Sequence, residues 1–249
     1  MNAIILSAGS ATRLGYLAKE IPKGLLEING KTIIERQIEI YKKNGIEKII
    51  LIIGPHSNQY TFDNVIYVKD TEYEKHDVLG SLMTGSNYMD DEFIMSYSDI
   101  VFDEAIIDDI INFKGDVGIA VDYHWEKNYE NRTLHPKEQA DNVVIKENKI
   151  LKIRKNISHC DSTELLGEFI GIMKLSKDGS KIFLEKYDTL KKTHKGKFHN
   201  ADSFEQAYLT DILQDLINSG NIIQPINIQK AWCEIDTPED IPRAKKILV

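Results

Sequence analysis

The sequence predicts an α/β fold: a mostly parallel, mixed sheet flanked by helices. Three observations carry this. The chain opens on a short apolar run, Ala3-Ile4-Ile5-Leu6, which has the length of a buried strand. A helical repeat follows it, and a second apolar run, Lys48–Ile53, follows that repeat. Strand–helix–strand alternation of this kind calls for crossover connections and parallel pairing.

The elements are taken in chain order. After Ile4–Leu6 comes Ser7-Ala8-Gly9-Ser10-Ala11-Thr12, a turn of small residues. Such a turn lets backbone N–H groups approach and cradle a phosphate chain. Arg13 and then Pro22-Lys23-Gly24 place two cations beside it, which suits a polyphosphate. No lysine follows Gly9 directly, and no second or third glycine completes a GxGxxG, so neither of those phosphate-binding motifs is present.

Thr32 and Glu35 have capping-box spacing, and Ile33, Ile34, Ile38 and Tyr41 repeat at helical intervals up to Asn44-Gly45. Lys48–Ile53 and Asn64–Val68 read as strands, Leu79–Tyr88 as a helix, and Phe93–Tyr97 as a strand that delivers Ser98-Asp99 at its carboxyl end. Ile106–Phe113 is a predicted helix and Val117–Val121 a strand. Tyr123–Asn142 is polar, aromatic and unpatterned, an excursion of the length that functional loops have. A hairpin about Glu147-Asn148 follows, then a strand over Phe169–Leu175, helices over Asp178–Leu190 and Ser203–Asn218, and strands over Asn221–Ile228 and Ala231–Ile235. Thr237 starts the closing helix, with Pro238 in its first turn. We expect one domain over residues 1–249, with an acceptor-side insertion over roughly 123–175.

Composition narrows the function. Of 249 residues, 42% are hydrophobic and 28% charged, which fits a globular chain with a real core. The net charge of −8 and the lack of a basic stripe exclude a general nucleic-acid binder. Anionic substrates must then be met by a few local cations. Cys160 and Cys233 are far apart and outside any metal spacing, which reads as reduced thiols in a cytoplasmic protein. No apolar run approaches the roughly 18 residues of a membrane span. Oligomeric state stays open, with a homodimer as one candidate.

Two carboxylates stand out as ligands for a hard cation such as Mg²⁺. Asp99 ends an apolar strand amid uncharged residues, and Asp236 lies between a strand and a helix. Either could instead be a helix N-cap, the favoured place for aspartate. Glu234 and Asp103 are expected to face solvent, and a solvated hairpin tip is the alternative to a binding role for the basic pair Arg154 and Lys155.

Leu6-Ser7-Ala8-Gly9-Ser10-Ala11-Thr12-Arg13-Leu14 followed by Pro22-Lys23 resembles the opening of the sugar-nucleotide type of nucleotidyltransferases, roughly L-A-A-G-x-G-T-R-L, a gap, then P-K. Ala11 departs from that pattern, standing where a second glycine is usual. The resemblance implies a Rossmann-like fold of the nucleotide-diphospho-sugar transferase type. It implies nucleotide binding by Leu6 to Thr12 and by Gly80 and Ser81, within the base-reading segment Asp77–Leu82. It implies that Arg13 holds the triphosphate, that Lys23 is catalytic, and that Asp99 and Asp236 hold Mg²⁺.

The middle of the chain, Trp125–Val144 with Arg132-Thr133-Leu134-His135-Pro136, resembles CTP-dependent phosphonate cytidylyltransferases, including the modules associated with phosphoenolpyruvate mutase. Lys155-Asn156 and Gly167–Leu175 resemble their acceptor side, which implies acceptor contacts from Arg154, Lys155, Glu168 and Lys174. The implied reaction transfers CMP from CTP to a small phosphonate or phosphate such as 2-aminoethylphosphonate or 2-hydroxyethylphosphonate. The rivals are a sugar-1-phosphate nucleotidyltransferase and a non-catalytic nucleotide sensor.

Overall fold

In a computed structural model, residues 1–9, 14, 21–157 and 161–247 are described. Four parallel strands, in the order β5 (Ile66–Lys69), β4 (Ile49–Ile53), β1 (Asn2–Ser7) and β6 (Phe93–Tyr97), form one end of a nine-stranded sheet, while β2 (Glu27–Ile28) and β3 (Lys31–Thr32) pair apart from it. β1 lies between β4 and β6, with Ile5 in register with Leu51 on one side and Ser96 on the other. All six residues of β1 are buried, as a strand covered on both faces must be.

The two-residue period of β1 and β4 divides the core. Ile4, Leu6, Ile50 and Ile52 pack with α2 (Val78–Thr84), α4 (Lys177–Thr193) and α5 (Leu209–Asn218). Ala3, Ile5, Leu51 and Ile53 face the other way, onto α1 (Ile33–Lys43) and α3 (Ala105–Asn112). The Thr32–Glu35 capping box is formed at the start of α1.

The long strand β11 (Leu165–Leu175) joins the parallel half to the rest. It runs antiparallel to β6, to β8 (Val117–Asp122) and to β9 (Asp141–Lys146). Gly171 has φ +81°, and its register with β8 shifts there. A Cβ at Gly171 would lie 2.4 Å from the Tyr97 ring, so glycine is what lets that ring lie against the bend. β10 (Lys149–Lys155) closes the hairpin with β9, and Glu147 and Asn148 both take the left-handed conformation a tight turn needs. β12 (Gln224–Ile228) extends the sheet beside β8.

A small ribbon positions the site. β13 (Trp232–Glu234) pairs antiparallel with β7 (Ile100–Phe102), a strand absent from the sequence expectation, and Ile235 N–H donates to Asp99 O at 2.8 Å. The Thr237 hydroxyl and the Asp240 carboxylate then form a capping box at the turn leading to α6 (Ile241–Ile247). The helix expected over Ser203–Asn218 begins only at Leu209. Tyr208 is its N-cap, its backbone N–H bonded to Asp211, and Phe204 and Ala207 are buried in the segment before it.

Candidate active site

The site lies where β1 and β6 end. Ser98 N–H donates to Leu6 O, so the chain beyond β6 stays pinned to β1 as it reaches Asp99. Lys23 sits in a single 3₁₀ turn (Lys23–Leu25). A Cβ on Gly24 would come within 2.5 Å of Ile34 Cδ1 and 2.9 Å of Ser98 Cβ, so Gly24 permits this turn to lie against β6. The Lys23 ammonium donates to Asp99 Oδ2 at 3.0 Å and to Asp236 Oδ1. Two aspartates 137 positions apart thus meet across one lysine. Burial pulls the Lys23 pKa down, but Asp99, Asp236 and Glu234 outweigh it and hold the ammonium charged.

Asp236 is fully buried. Its Oδ2 lies 2.6 Å from His135 Nδ1, and Glu234 Oε2 lies 3.9 Å from the same nitrogen. Glu234 is partly buried, not solvent-facing as expected, because β13 turns it toward Lys23. Burial, then the charges of Asp236 and Asp99, push its acid well above the ordinary carboxylate range. Asp99 Oδ1 is buried with no hydrogen-bond partner among the described residues. An orphaned carboxylate oxygen beside an acid that resists ionising fits a hard divalent cation. Asp99, Asp236 and Glu234 are the carboxylates that could offer it oxygens.

The excursion supplies His135 and is latched to the turn carrying Asp236. Arg132 pairs with Asp240, and the backbone N–H groups of Thr133 and Leu134, with the Thr133 hydroxyl, donate to Glu239. Arg243 donates to Asn128 on the far side of this strap.

Around the small-residue turn, Leu6, Ser7 and Ala8 are buried. The Tyr60 hydroxyl bonds the Ser7 hydroxyl and carbonyl, and Gly54 lets β4 approach, since a Cβ there would meet Ala8 O at 2.5 Å. Among the described residues, nothing lies within 4 Å of where a Cβ on Gly9 would sit. Ser10, Ala11, Thr12 and Arg13 lie outside the described residues.

Ser81 is corrected. Its hydroxyl donates inward to Asp70 Oδ2 at 2.7 Å, so it is committed to the fold and not to a base edge. Gly80 packs beneath His76, where a Cβ would lie 2.4 Å from the ring, and borders a cavity of about 700 Å³ with Tyr187 and Phe204.

Arg154, Lys155 and Glu168 fall on neighbouring strands. Arg154 is in register with Asn142 and Lys155 with Asp141, while Glu168 is in register with Asn142 from the other side. Lys155 also sits over the Tyr208 ring. Glu168 is buried and accepts from the Tyr129 hydroxyl, and burial raises its pKa to about 8. Lys174 is the second correction. It lies roughly 20 Å further along β11 by strand rise. Its ammonium is consumed by Ile111 O, Phe113 O and Glu92, closing the C-terminal end of α3. That ammonium is thus taken up by the fold.

The sequence marked Arg132 and His135 only as part of the resemblance over Trp125–Val144, without a role of their own, and it did not mark Tyr60 or Asp240, for which the Thr237–Asp240 cap spacing was a readable hint.

A parallel sheet that brings a lysine and paired carboxylates to the carboxyl ends of its strands defines an enzyme handling nucleotide phosphates, a nucleotidyltransferase. The chain belongs to the MobA-like NTP transferase domain family, whose profile matches residues 3–143. It is 29% identical to a CTP:phosphoglutamine cytidylyltransferase of Campylobacter jejuni, over 97% of this chain and 98% of that one. It is also 30% identical, over 85% of its length, to a bifunctional GlmU protein of Methanococcus maripaludis, of which it spans 51%. The solved inositol-1-phosphate CTP transferase of T. maritima superposes with a TM-score of 0.73 at 20% identity, covering 99% of this chain and 95% of that one. The CTP:phosphocholine cytidylyltransferase of Streptococcus pneumoniae gives 0.73 at 21%, covering 100% and 99%. These two likenesses show the shared fold.

Proposed function

We propose that the protein transfers CMP from CTP to a small phosphorylated or phosphonate acceptor and releases pyrophosphate. The observation that carries the reading is the Lys23 ammonium held between Asp99 and Asp236 at the ends of β1 and β6. The full-length likeness to a cytidylyltransferase acting on phosphoglutamine supports CTP as donor.

A phosphate or phosphonate acceptor is already largely anionic near neutrality, its second pKa being about 6, so no general base is required. Catalysis is then positioning and charge neutralisation. Lys23, a flexible point charge, serves the α-phosphate and the incoming oxygen, where negative charge grows in the transition state. The turn from Ser7 to Thr12 and Arg13 hold the triphosphate. Asp99, Asp236 and Glu234 hold Mg²⁺, which when bound offsets charge on the phosphates. Arg154 and Lys155 meet the acceptor's anionic end. Glu168, buried, and Asp141, half-buried, whose Oε2 and Oδ1 lack hydrogen-bond partners among the described residues, recognise polar groups beyond it.

The test is pyrophosphate release with CTP, UTP and ATP against 2-aminoethylphosphonate, 2-hydroxyethylphosphonate, phosphocholine, phosphorylated glutamine and sugar 1-phosphates. Turnover with CTP and a non-sugar acceptor is expected. Turnover with a sugar 1-phosphate alone would replace the reading with a sugar nucleotidyltransferase, and no turnover with any pair would leave a sensor.

A further inference from the structure

The two oxygens of Asp236 face different chemistry. Oδ1 takes the Lys23 ammonium. Oδ2 turns toward His135 and Glu234, and one donor atom from each of these three residues lies within 4.8 Å of the others. His135 is 4% exposed, and its Nδ1 lies 2.6 Å from Asp236 Oδ2 with no aligned hydrogen bond to any described residue. A buried ring nitrogen held against two carboxylates without an aligned hydrogen bond to either is a donor set that a cation fits, not a surface ion pair.

We infer that His135 is a direct ligand of the divalent cation, binding with Asp236 and Glu234 on the side that Lys23 leaves open. This rests on the proposed function only for the presence of a divalent cation at Asp236.

The imidazole is held in place for this role. Tyr129 packs edge-on against it at 6.0 Å between centroids, and the strap that carries it is fixed to Glu239 and Asp240 by Thr133, Leu134 and Arg132. Cluster charge points the same way: Asp99, Asp236 and Glu234 surround the Lys23 ammonium, and the Arg132 guanidinium 3.9 Å from Glu234 is already paired with Asp240. Chemistry then sets the preference. Mg²⁺ takes oxygen ligands, whereas an imidazole nitrogen favours Mn²⁺, Co²⁺ or Zn²⁺ over it. The site is therefore tuned toward a borderline transition metal by one residue from the excursion.

Pulsed electron paramagnetic resonance on the whole protein loaded with Mn²⁺ alone, without nucleotide, reads this directly. Wild type is expected to show nitrogen coupling from a bound imidazole. His135→Gln should abolish that coupling and weaken Mn²⁺ binding by roughly tenfold or more, with a smaller loss for Mg²⁺, so the Mn²⁺/Mg²⁺ affinity ratio falls. Absence of nitrogen coupling in wild type, or of Mn²⁺ binding itself, overturns the assignment whatever becomes of the variant. So does an unchanged affinity ratio in a His135→Gln protein that melts as wild type does. Nitrogen coupling without CTP turnover would sink the cytidylyl reading and leave His135 a ligand. Turnover without coupling would do the reverse.

Discussion

Lys23 is both counter-ion and catalytic group, and its removal should show in two measurements. Lys23→Ala should lower kcat and kcat/KM together by roughly 10² or more, because the contact strengthens as charge develops. It should also destabilise the fold, since Asp236 is fully buried and loses its cation. Melting in the presence of a chelator should fall by roughly 5 °C or more, and Mg²⁺ should recover part of the loss. The buried partner is what couples Lys23 to stability. A rise only in the KM for CTP, with kcat intact, would make Lys23 a binding residue. Asp99→Asn and Asp236→Asn should each cost orders of magnitude in pyrophosphate release while the protein still folds, because each replaces a hard anionic ligand by an amide. Near-wild-type turnover of both in Mg²⁺ would remove the ligand assignment.

At the scale of elements, two short segments hold the site together. Gly24 lets the Lys23 turn lie against Ser98. Gly24→Ala should push that turn away and cut kcat by roughly tenfold or more, a 1 Å misplacement being enough for such losses. Activity equal to wild type would show that Ile34 and Ser98 yield to the methyl. The strap over Arg132–His135 is fixed largely by one carboxylate, Glu239. Glu239→Ala should leave three donors to water and raise the rate of limited proteolysis within 130–137, with the rest of the chain as resistant as before. An unchanged cleavage pattern would mean that Arg132 and Asp240 suffice.

At the scale of the molecule, burial of acids sets a pH dependence of stability. Glu168 titrates near 8 in the folded chain against an ordinary 4.5, chiefly because it is buried. Asp141 is raised to about 6 from 3.8 for the same reason. Between each pair of values the folded chain keeps a proton that the unfolded chain has released. Stability from these groups is thus full at low pH, falls as pH rises through the window, and levels off above about 8. Glu168→Gln keeps an acceptor for the Tyr129 hydroxyl and should melt with a smaller decline between pH 5 and 8 than wild type does. Parallel declines in the two proteins would show that Glu168 is ionised throughout.

The order of elements was legible from local signals, because a strand buried on both faces is uniformly apolar and a helix announces its cap. Phe93–Tyr97 and the Thr32–Glu35 box follow from residues close in sequence. The same locality explains the failures. Ile100–Phe102 is three residues long and becomes a strand only because Trp232–Glu234 pairs with it. Ser203–Ala207 reads as helical until Phe204 and Ala207 are drawn into the core ahead of Tyr208. By itself the sequence determined the parallel α/β class, the small-residue turn and the candidacy of Lys23, Asp99 and Asp236. Only tertiary structure decided that those three meet, that Lys174 and Ser81 are spent on the fold, and that His135 joins Asp236. The physical reason is that a charge's role depends on which opposite charge shares its burial, and here the partners lie up to 213 positions apart.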